Sequence, residues 1–360
     1  MITASHKQLA DLLRTTDAER LETLWREADT VRQANVGDDV HLRGLVEFSN
    51  ICDRNCAYCG LRKENSAMPR YRMTTEEILD CARQAMDFGY GTIVLQAGEH
   101  RSMKADWLAG VIRQIKTTTP LAVTLSVGER PAEEYAQWRE AGADRYLLRF
   151  ETSNPELYAR IHPVADGTLA DRLDCLRVLR ELGYETGSGV MIGIPGQTYD
   201  ILARDIEMFR ELDLDMIGVG PFIPHPCTPL ANHTYTNDKD DRQVPNSELM
   251  TYKVLALTRL TCPRTNLPST TALATLNRDQ GRERGLARGA NVVMPTLTPK
   301  NYRRLYEIYP DKACFSETPR AYHLRLQQHI LDMDRTIATG QGSSLHYVNR
   351  KQRGRYACPA

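Results

Sequence analysis

The sequence predicts an α/β chain folded as a (β/α)8 TIM barrel with an N-terminal helical extension. Three observations predict it. From about residue 44, short apolar runs alternate with amphipathic stretches, as parallel strands joined by helices do. Eight such βα units can be placed along the chain. Polar and glycine residues recur just after each apolar run, where barrels of this kind gather their active site.

Residues 6–35 are expected to form two helices. Leu9, Leu12 and Leu13, then Leu21, Leu24 and Trp25, recur at helical spacing. They belong to a cap, residues 1–43, packed on the bottom or side of the main domain. The expected strands are Gly44–Ser49, Thr92–Gln96, Ala122–Ser126, Arg145–Phe150, Gly187–Ile192, Met216–Gly220, Asn266–Thr271 and Ala290–Met294. Helical patterns lie near 75–88, 102–117, 131–141, 168–182, 198–212, 246–260, 280–288 and 318–338. A six-unit partial barrel is the alternative, because the last two strands are short. The barrel takes residues 44–345, and 346–360 form a basic C-terminal tail. Its Arg350, Lys351, Arg353 and Arg355 are expected to be solvated, with docking to a protein partner as the weaker option. Asn232–Gln243, with Asp238, Lys239, Asp240 and Asp241, reads as a solvated surface loop.

The charges exclude some functions. Lys plus Arg and Asp plus Glu number 46 each, so the net charge is zero. No global field favours nucleic acid or an anionic membrane. No apolar run approaches the roughly 18 residues of a membrane span, and Met1–Ala10 lack the apolar core of a signal peptide. Nine cysteines without regular pairing fit a reducing, cytoplasmic setting.

Three of them, Cys52, Cys56 and Cys59, are spaced C-x3-C-x2-C. Three thiolates this close can hold three corners of a cubane iron–sulfur cluster and leave one iron without a protein ligand. A structural zinc site normally needs four ligands, and no fourth Cys or His lies in this loop. The spacing, with Tyr58 before the last Cys, resembles the radical-SAM superfamily. That resemblance implies a [4Fe-4S] cluster whose open iron chelates S-adenosylmethionine (SAM) and whose electron cleaves it to a 5'-deoxyadenosyl radical.

SAM needs a cation for its carboxylate, acceptors for its ammonium and apolar walls for adenine. Gly98-Glu99 resembles the GE motif that handles the ammonium. Arg149, Glu151 and Arg172 offer charged contacts, with Ser126 nearby, and Ile192 with the Gly193–Gly196 turn offers an adenine wall. Arg149 and Glu151 can equally form an internal ion pair. Arg172 follows Asp171 on a helix, where a surface salt bridge is the default. No G-x-G-x-x-G follows a strand, which disfavours a Rossmann methyltransferase.

Closer likeness lies in Val46–Gly60, Arg70–Thr74, Thr92–Glu99, Tyr146–Pro155, Glu181–Thr198, Gly218–Pro226 and Asn291–Pro295. Over about residues 40–310 the chain resembles the HydE family, the radical-SAM maturases of [FeFe]-hydrogenase. Biotin synthase and the methylornithine synthase PylB are near relatives. The resemblance implies SAM contacts from Tyr58, Gly98, Glu99, Ser126, Arg149, Glu151 and Arg172. It implies deeper substrate contacts from Thr124, Met216, Thr270, Thr271, Met294 and Tyr306. The implied substrate is a cysteine-bound iron carbonyl cyanide, attacked at sulfur by the adenosyl radical. The implied partners are the maturases HydG and HydF and an electron donor such as flavodoxin or ferredoxin. A lysine mutase like methylornithine synthase is the second reading, and biotin-synthase-like sulfur insertion the third. An iron–sulfur scaffold that does not cleave SAM is the non-enzyme reading.

The chain departs from that family in places. Some members carry a second cluster on three C-terminal cysteines. Here only Cys314 aligns, with Tyr322 and Arg325 at the other two positions, so no second cluster is expected. Phe150 replaces a common His, and Ala97 replaces a Ser before the GE motif; both changes are expected near the site. Cys81 and Cys175 sit on apolar helix faces and read as core residues. Cys227 is expected near the barrel mouth, as loop packing, with a ligand or reactive thiol as the alternative. Cys262 and Cys358 read as structural or exposed, and His162 and His225 as satisfied polar residues near the mouth.

Overall fold

A computed structural model describes residues 5–163, 167–231, 242–313 and 318–354. Many of the helices begin where a side-chain acceptor precedes an apolar pattern. Ser5 with Gln8 and Thr74 with Glu77 make reciprocal capping boxes at α1 (His6–Arg14) and α3 (Thr75–Asp87). Asp17 caps α2 (Ala18–Val36).

The chain then alternates: β1 (Asp39–Ser49), α3, β2 (Thr92–Ala97), α4 (Ala105–Thr118), β3 (Ala122–Ser126), α5 (Ala132–Glu140), β4 (Arg145–Leu147). It continues through α6 (Pro155–Ile161), α7 (Leu169–Glu181), β5 (Glu185–Ile192), α8 (Tyr199–Glu211), β6 (Met216–Pro221) and α9 (Glu248–Thr261). The last part holds α10 (Thr271–Leu276), α11 (Gly281–Leu286), β7 (Val292–Val293), α12 (Lys300–Arg303), α13 (Pro319–Asp332), β8 (Thr336–Ile337) and α14 (Leu345–Gln352).

Strands β1 to β6 pair in parallel, each with the next in sequence, and β7 pairs with β1 at His41 and Leu42. The expected seventh strand, Asn266–Thr271, is an extended segment with bridges only at Asn266 and Pro268. Asn266 bridges Met216 of β6, and Pro268 bridges Val292 of β7, which closes the ring. Proline has no N–H for a ladder. Pro268 and Pro295 therefore limit these two barrel positions to a few bonds. Thr270 and Thr271 do not end a strand as expected; Thr270 caps α10 and Thr271 begins it. A six-unit partial barrel does not describe this ring.

β1 starts at Asp39, ahead of the expected Gly44, and β4 stops at Leu147, short of the expected Phe150. Helices α1 and α2 pack on the side of the barrel, against α8 and α9. Leu9, Leu13, Leu24 and Ala28 supply the buried stripe, and Lys253 of α9 donates to the carbonyls of Leu13 and Thr15 at the end of α1.

Residues expected in the basic tail are helical in α14, whose Arg350 is buried beside Asp213 and Asp215. Ahead of α14, β8 pairs with the start of β1. A strap, residues 338–344, then crosses the bottom of the barrel. Arg145, paired with Glu185 at 2.6 Å, donates to the carbonyl of Gln341 and the hydroxyl of Ser343. Cys314, Cys358, Arg355 and most of Asn232–Gln243 lie outside the described residues.

Candidate active site

Alternate residues of each strand face the barrel axis. On β1 these are Arg43, Leu45 and Glu47; on β3, Thr124 and Ser126; on β6, Met216, Gly218 and Gly220. Barrel interiors are normally filled by side chains, but here glycine hollows one wall. A Cβ on Gly218 would meet nothing nearer than 3.9 Å. The result is a cavity of about 350 Å³.

The cysteine loop continues β1 at the top of this cavity, and several bonds hold its backbone in place. Asn50, fully buried, donates to the carbonyls of Pro69 and Leu305. Arg70 donates to four carbonyls, those of Asn50, Leu61, Arg62 and Asn65. The amide of Asp53 donates to Glu99 O, that of Ala57 to Ile161 O and that of Gly60 to Ile308 O. Gly98 must be glycine, because a Cβ there would lie 2.3 Å from Ile51 O and 2.9 Å from Cys52 Cβ. The GE turn is thereby pressed directly onto the cysteine loop.

Cys52 and Cys59 line the cavity, and all three thiols are free. Burial pushes each of them up, Cys59 to about 12. Among the described residues no three ligands converge on a single ion. A cubane does not require it, since each thiolate binds a different iron. Soft donors with no fourth protein ligand in the loop fit such a cluster, and loading it displaces thiol protons.

Below and beside the cysteines lie the expected SAM residues. Tyr58, Gly98, Glu99, Ser126, Arg149, Glu151 and Arg172 all line the cavity. Arg149 and Glu151 form the ion pair left open by the sequence, at 3.0 Å. Glu151 is held at φ 64°, in the left-handed region, where its amide still bonds to Gly189 O. Burial raises its carboxyl, while Arg149 and Arg172 oppose the rise.

Arg172 makes no surface salt bridge. Asp171 turns back to cap α7 with Thr168, and Arg172 points inward, 2.5 Å from Glu129. Burial works against its charge, but Glu129 and its neighbours hold it firmly protonated. The hydroxyl of Tyr58 meets His162 at 3.2 Å. Burial lowers His162 to about 3, so its ring is neutral.

Ile192 does not line the cavity. It is fully buried in the core, because strand alternation turns Met191 inward and Ile192 outward. Phe150 likewise packs outward on Phe209, ring centroids 5.8 Å apart, whereas Ala97 does line the cavity.

Thr124, Met216, Thr270, Thr271, Met294 and Tyr306 surround the deeper space. Thr124 Oγ1 is buried there without a hydrogen-bond partner, so a polar ligand would satisfy it. Four polar residues were not singled out in the sequence: Arg43, Glu47, Arg54 and Lys312. Glu47 pairs with Lys312; Gln96 donates to the Tyr306 hydroxyl at 3.1 Å. Arg43 donates to Met216 Sδ and Gly342 O at the floor, and Arg54 spans Glu99 and Glu129. Strand alternation could have found Arg43 and Glu47; nothing local marks Lys312.

The other cysteines among the described residues do not line the cavity. Cys81 and Cys262 are buried, Cys175 is half-buried against the core and Cys227 is exposed. His225 accepts from the Cys227 amide.

Residues 46–219 match the Radical SAM superfamily. The chain is 49% identical over 313 residues to the [FeFe] hydrogenase maturase subunit HydE of Thermotoga maritima, covering 87% of this chain and 86% of that protein. The chain belongs to the HydE family. Among solved structures, this HydE-family barrel is similar in fold to methylornithine synthase (PylB), with a TM-score of 0.80 and 22% identity over 97% of this chain and 96% of that one. It is also similar to the FeFe-hydrogenase maturase HydG from Carboxydothermus hydrogenoformans, with a TM-score of 0.73 and 22% identity over 92% and 75% of the two chains. No helix of the described residues is long and apolar enough to cross a membrane.

Proposed function

We propose that this HydE-family chain cleaves SAM reductively in the assembly of the diiron subsite of [FeFe]-hydrogenase, acting on a cysteine-bound iron carbonyl cyanide. The observation that carries the reading is the cysteine loop at the top of a hollow barrel, with Cys52 and Cys59 facing the same cavity as Glu99, Glu151 and Arg172. Cys52, Cys56 and Cys59 would hold a [4Fe-4S] cluster, which would supply the electron that breaks SAM into methionine and a 5'-deoxyadenosyl radical. The chain's own residues do the rest. Glu99 accepts from the ammonium of SAM, Arg172 pairs with its carboxylate and Ser126 contacts it from β3. Glu151, with Tyr58 and Met191, borders the adenosine. Thr124, Thr270, Thr271, Met294, Met216 and Tyr306 shape the substrate space below.

The floor of that space favours this reading over a lysine mutase. Arg43 is buried, and its contacts are Met216 Sδ and a backbone carbonyl. Burial depresses it to about 9, Arg145 adds to the effect and Glu185 opposes it, which leaves the two arginines in excess of one carboxylate. A cationic floor repels the ε-ammonium of lysine and suits an anionic cyanide complex. HydG as supplier of that complex, HydF as its acceptor and a flavodoxin or ferredoxin as electron source complete the proposal.

The test is anaerobic. The cluster is reconstituted and reduced, and SAM is added with either the cysteine-bound iron dicarbonyl cyanide or lysine. 5'-Deoxyadenosine and adenosylated products are read by mass spectrometry, and iron species by EPR. Turnover with the iron complex is expected; turnover with lysine alone would move the chain to the mutases. Cys56→Ala is expected to lose both the cubane signal and SAM cleavage, and cleavage surviving without a cubane would sink the cluster assignment.

A further inference from the structure

Arg54 lies inside the cysteine loop, between Cys52 and Cys56, and its side chain pairs with Glu99, which lines the cavity, and with Glu129. Its Nε donates to Glu99 Oε1 at 2.5 Å. Its Nη2 donates to Glu129 Oε2 at 2.8 Å. The other oxygen of Glu129 is 2.5 Å from Arg172 Nε. Four charges thus run in one alternating chain, Glu99–Arg54–Glu129–Arg172. Each side chain is only 10–13% exposed, so the pairs are weakly screened.

The two ends of this chain, Glu99 and Arg172, line the cavity and are the groups proposed above to bind SAM. Its middle is what keeps them apart and in place. A Cβ on Gly128 would lie 2.2 Å from Glu99 Oε2, so the Glu99 carboxylate rests on the turn that carries Glu129. Two carboxylates this close oppose each other's charge unless a cation lies between them. Arg54 is that cation, and its fork-shaped guanidinium addresses both carboxylates at once.

We propose that Arg54 is a positioning residue for SAM: it holds Glu99 toward the ammonium and, through Glu129, holds Arg172 toward the carboxylate. The proposal rests on the SAM-site reading above and adds a residue to it. Arg54 itself need not touch SAM. Its loss lets Glu99 swing and leaves Glu129 free to pull Arg172 out of line. Since the effect is on binding, it appears in the SAM dissociation constant and KM rather than in kcat at saturating SAM.

The full chain with reconstituted cluster is compared as wild type, Arg54→Gln, Arg54→Lys, Glu129→Gln and the double variant Arg54→Gln/Glu129→Gln. SAM affinity is read from the change in the EPR signal of the reduced cluster, and iron and sulfide are counted in each sample. Arg54→Gln is expected to keep its cluster and to bind SAM roughly ten- to a hundredfold more weakly, the scale of one charge-assisted hydrogen-bond pair. Arg54→Lys recovers part of the loss. Glu129→Gln weakens binding in the same direction, and the double variant is no weaker than the weaker single one, because both act through one chain. Wild-type affinity in a cluster-loaded Arg54→Gln overturns the proposal, as does a fall in kcat with unchanged KM. If Arg54→Gln loses its cluster, Glu129→Gln decides: wild-type affinity there overturns the proposal. A wild-type chain that fails to bind SAM overturns the SAM-site reading, and the role of Arg54 with it.

Discussion

At the scale of single residues, the site depends on close approaches that tolerate no added atom. Gly98→Ala places a methyl against the Ile51 carbonyl and the Cys52 side chain. Overpacking of this kind costs about 1–3 kcal/mol, and the strain falls on the cysteine loop. The expected outcome is a folded chain with reduced iron and sulfide content. A Gly98→Ala chain that loads a full cluster would show that the loop yields freely. Behind the site, Asp205 of α8 is fully buried and accepts from the Ser153 amide and the Gln197 side chain. Burial raises its carboxyl to about 7. The folded state therefore binds a proton that the unfolded state releases near pH 4, and stability falls as pH rises from about 4 to about 7. The slope for one such proton is at most about 1.4 kcal/mol per pH unit, and Asp205→Asn is expected to flatten it. Equal slopes in denaturant melts of the two proteins at pH 5 and 7 would falsify the assignment.

At the scale of elements, helix α14 shows how charge replaces apolar packing. Arg350 is its one buried residue, and Asp213 at the foot of β6 gathers Arg180, His346 and Arg350. Burial alone would raise the Asp213 carboxyl, but His346 and the two arginines hold it down at about 2. A depressed carboxylate stabilises the fold above its ordinary pKa, and that contribution is lost as pH falls from about 4 through about 2. Asp213, Arg180 and His346 are each partly exposed, so screening leaves the cluster worth about 1 kcal/mol. Asp213→Asn keeps the left-handed backbone that Asp213 adopts, φ 51°, and removes only the charge. Faster limited proteolysis within residues 345–354 is expected, with the barrel intact; an unchanged cleavage rate would mean that α14 is held by other contacts.

At the scale of the whole molecule, the barrel has a chemical top and a sealed bottom. The 338–344 strap offers its carbonyls to Arg43 and Arg145 from below, and its Gly340 carbonyl abuts Gly91 so closely that a Cβ there would lie 1.6 Å away. A chain ending at Ala338 leaves two buried guanidinium groups without those acceptors. Each lost bond to a charged group costs roughly 1.5–3 kcal/mol. A melting temperature lower by several degrees is expected, with faster hydrogen exchange at the first residues of β1 and β4. Equal melting of the two chains would show that the strap adds nothing to the fold.

Periodicity alone was enough to place the helices α3 to α5 and α7 to α9 and six of the strands, because each buries one face whose spacing is written in the chain. The cysteine loop and the GE turn were legible for a related reason: their chemistry needs fixed residue types at short separations. What lies far apart in sequence was not legible. Lys312 meets Glu47 across 265 positions, and Arg172 reads as a surface residue until α7 is docked and Glu129 faces it. Ile192 was misplaced because one residue of register decides which side of β5 sees the cavity. The seventh barrel position was taken for a regular strand because apolar content survives where Pro268 removes the ladder. The sequence by itself determined most of the regular elements and the family, since these depend on local pattern. Only the tertiary structure decided which charges meet, because a buried ion pair is set by the packing that brings its partners together.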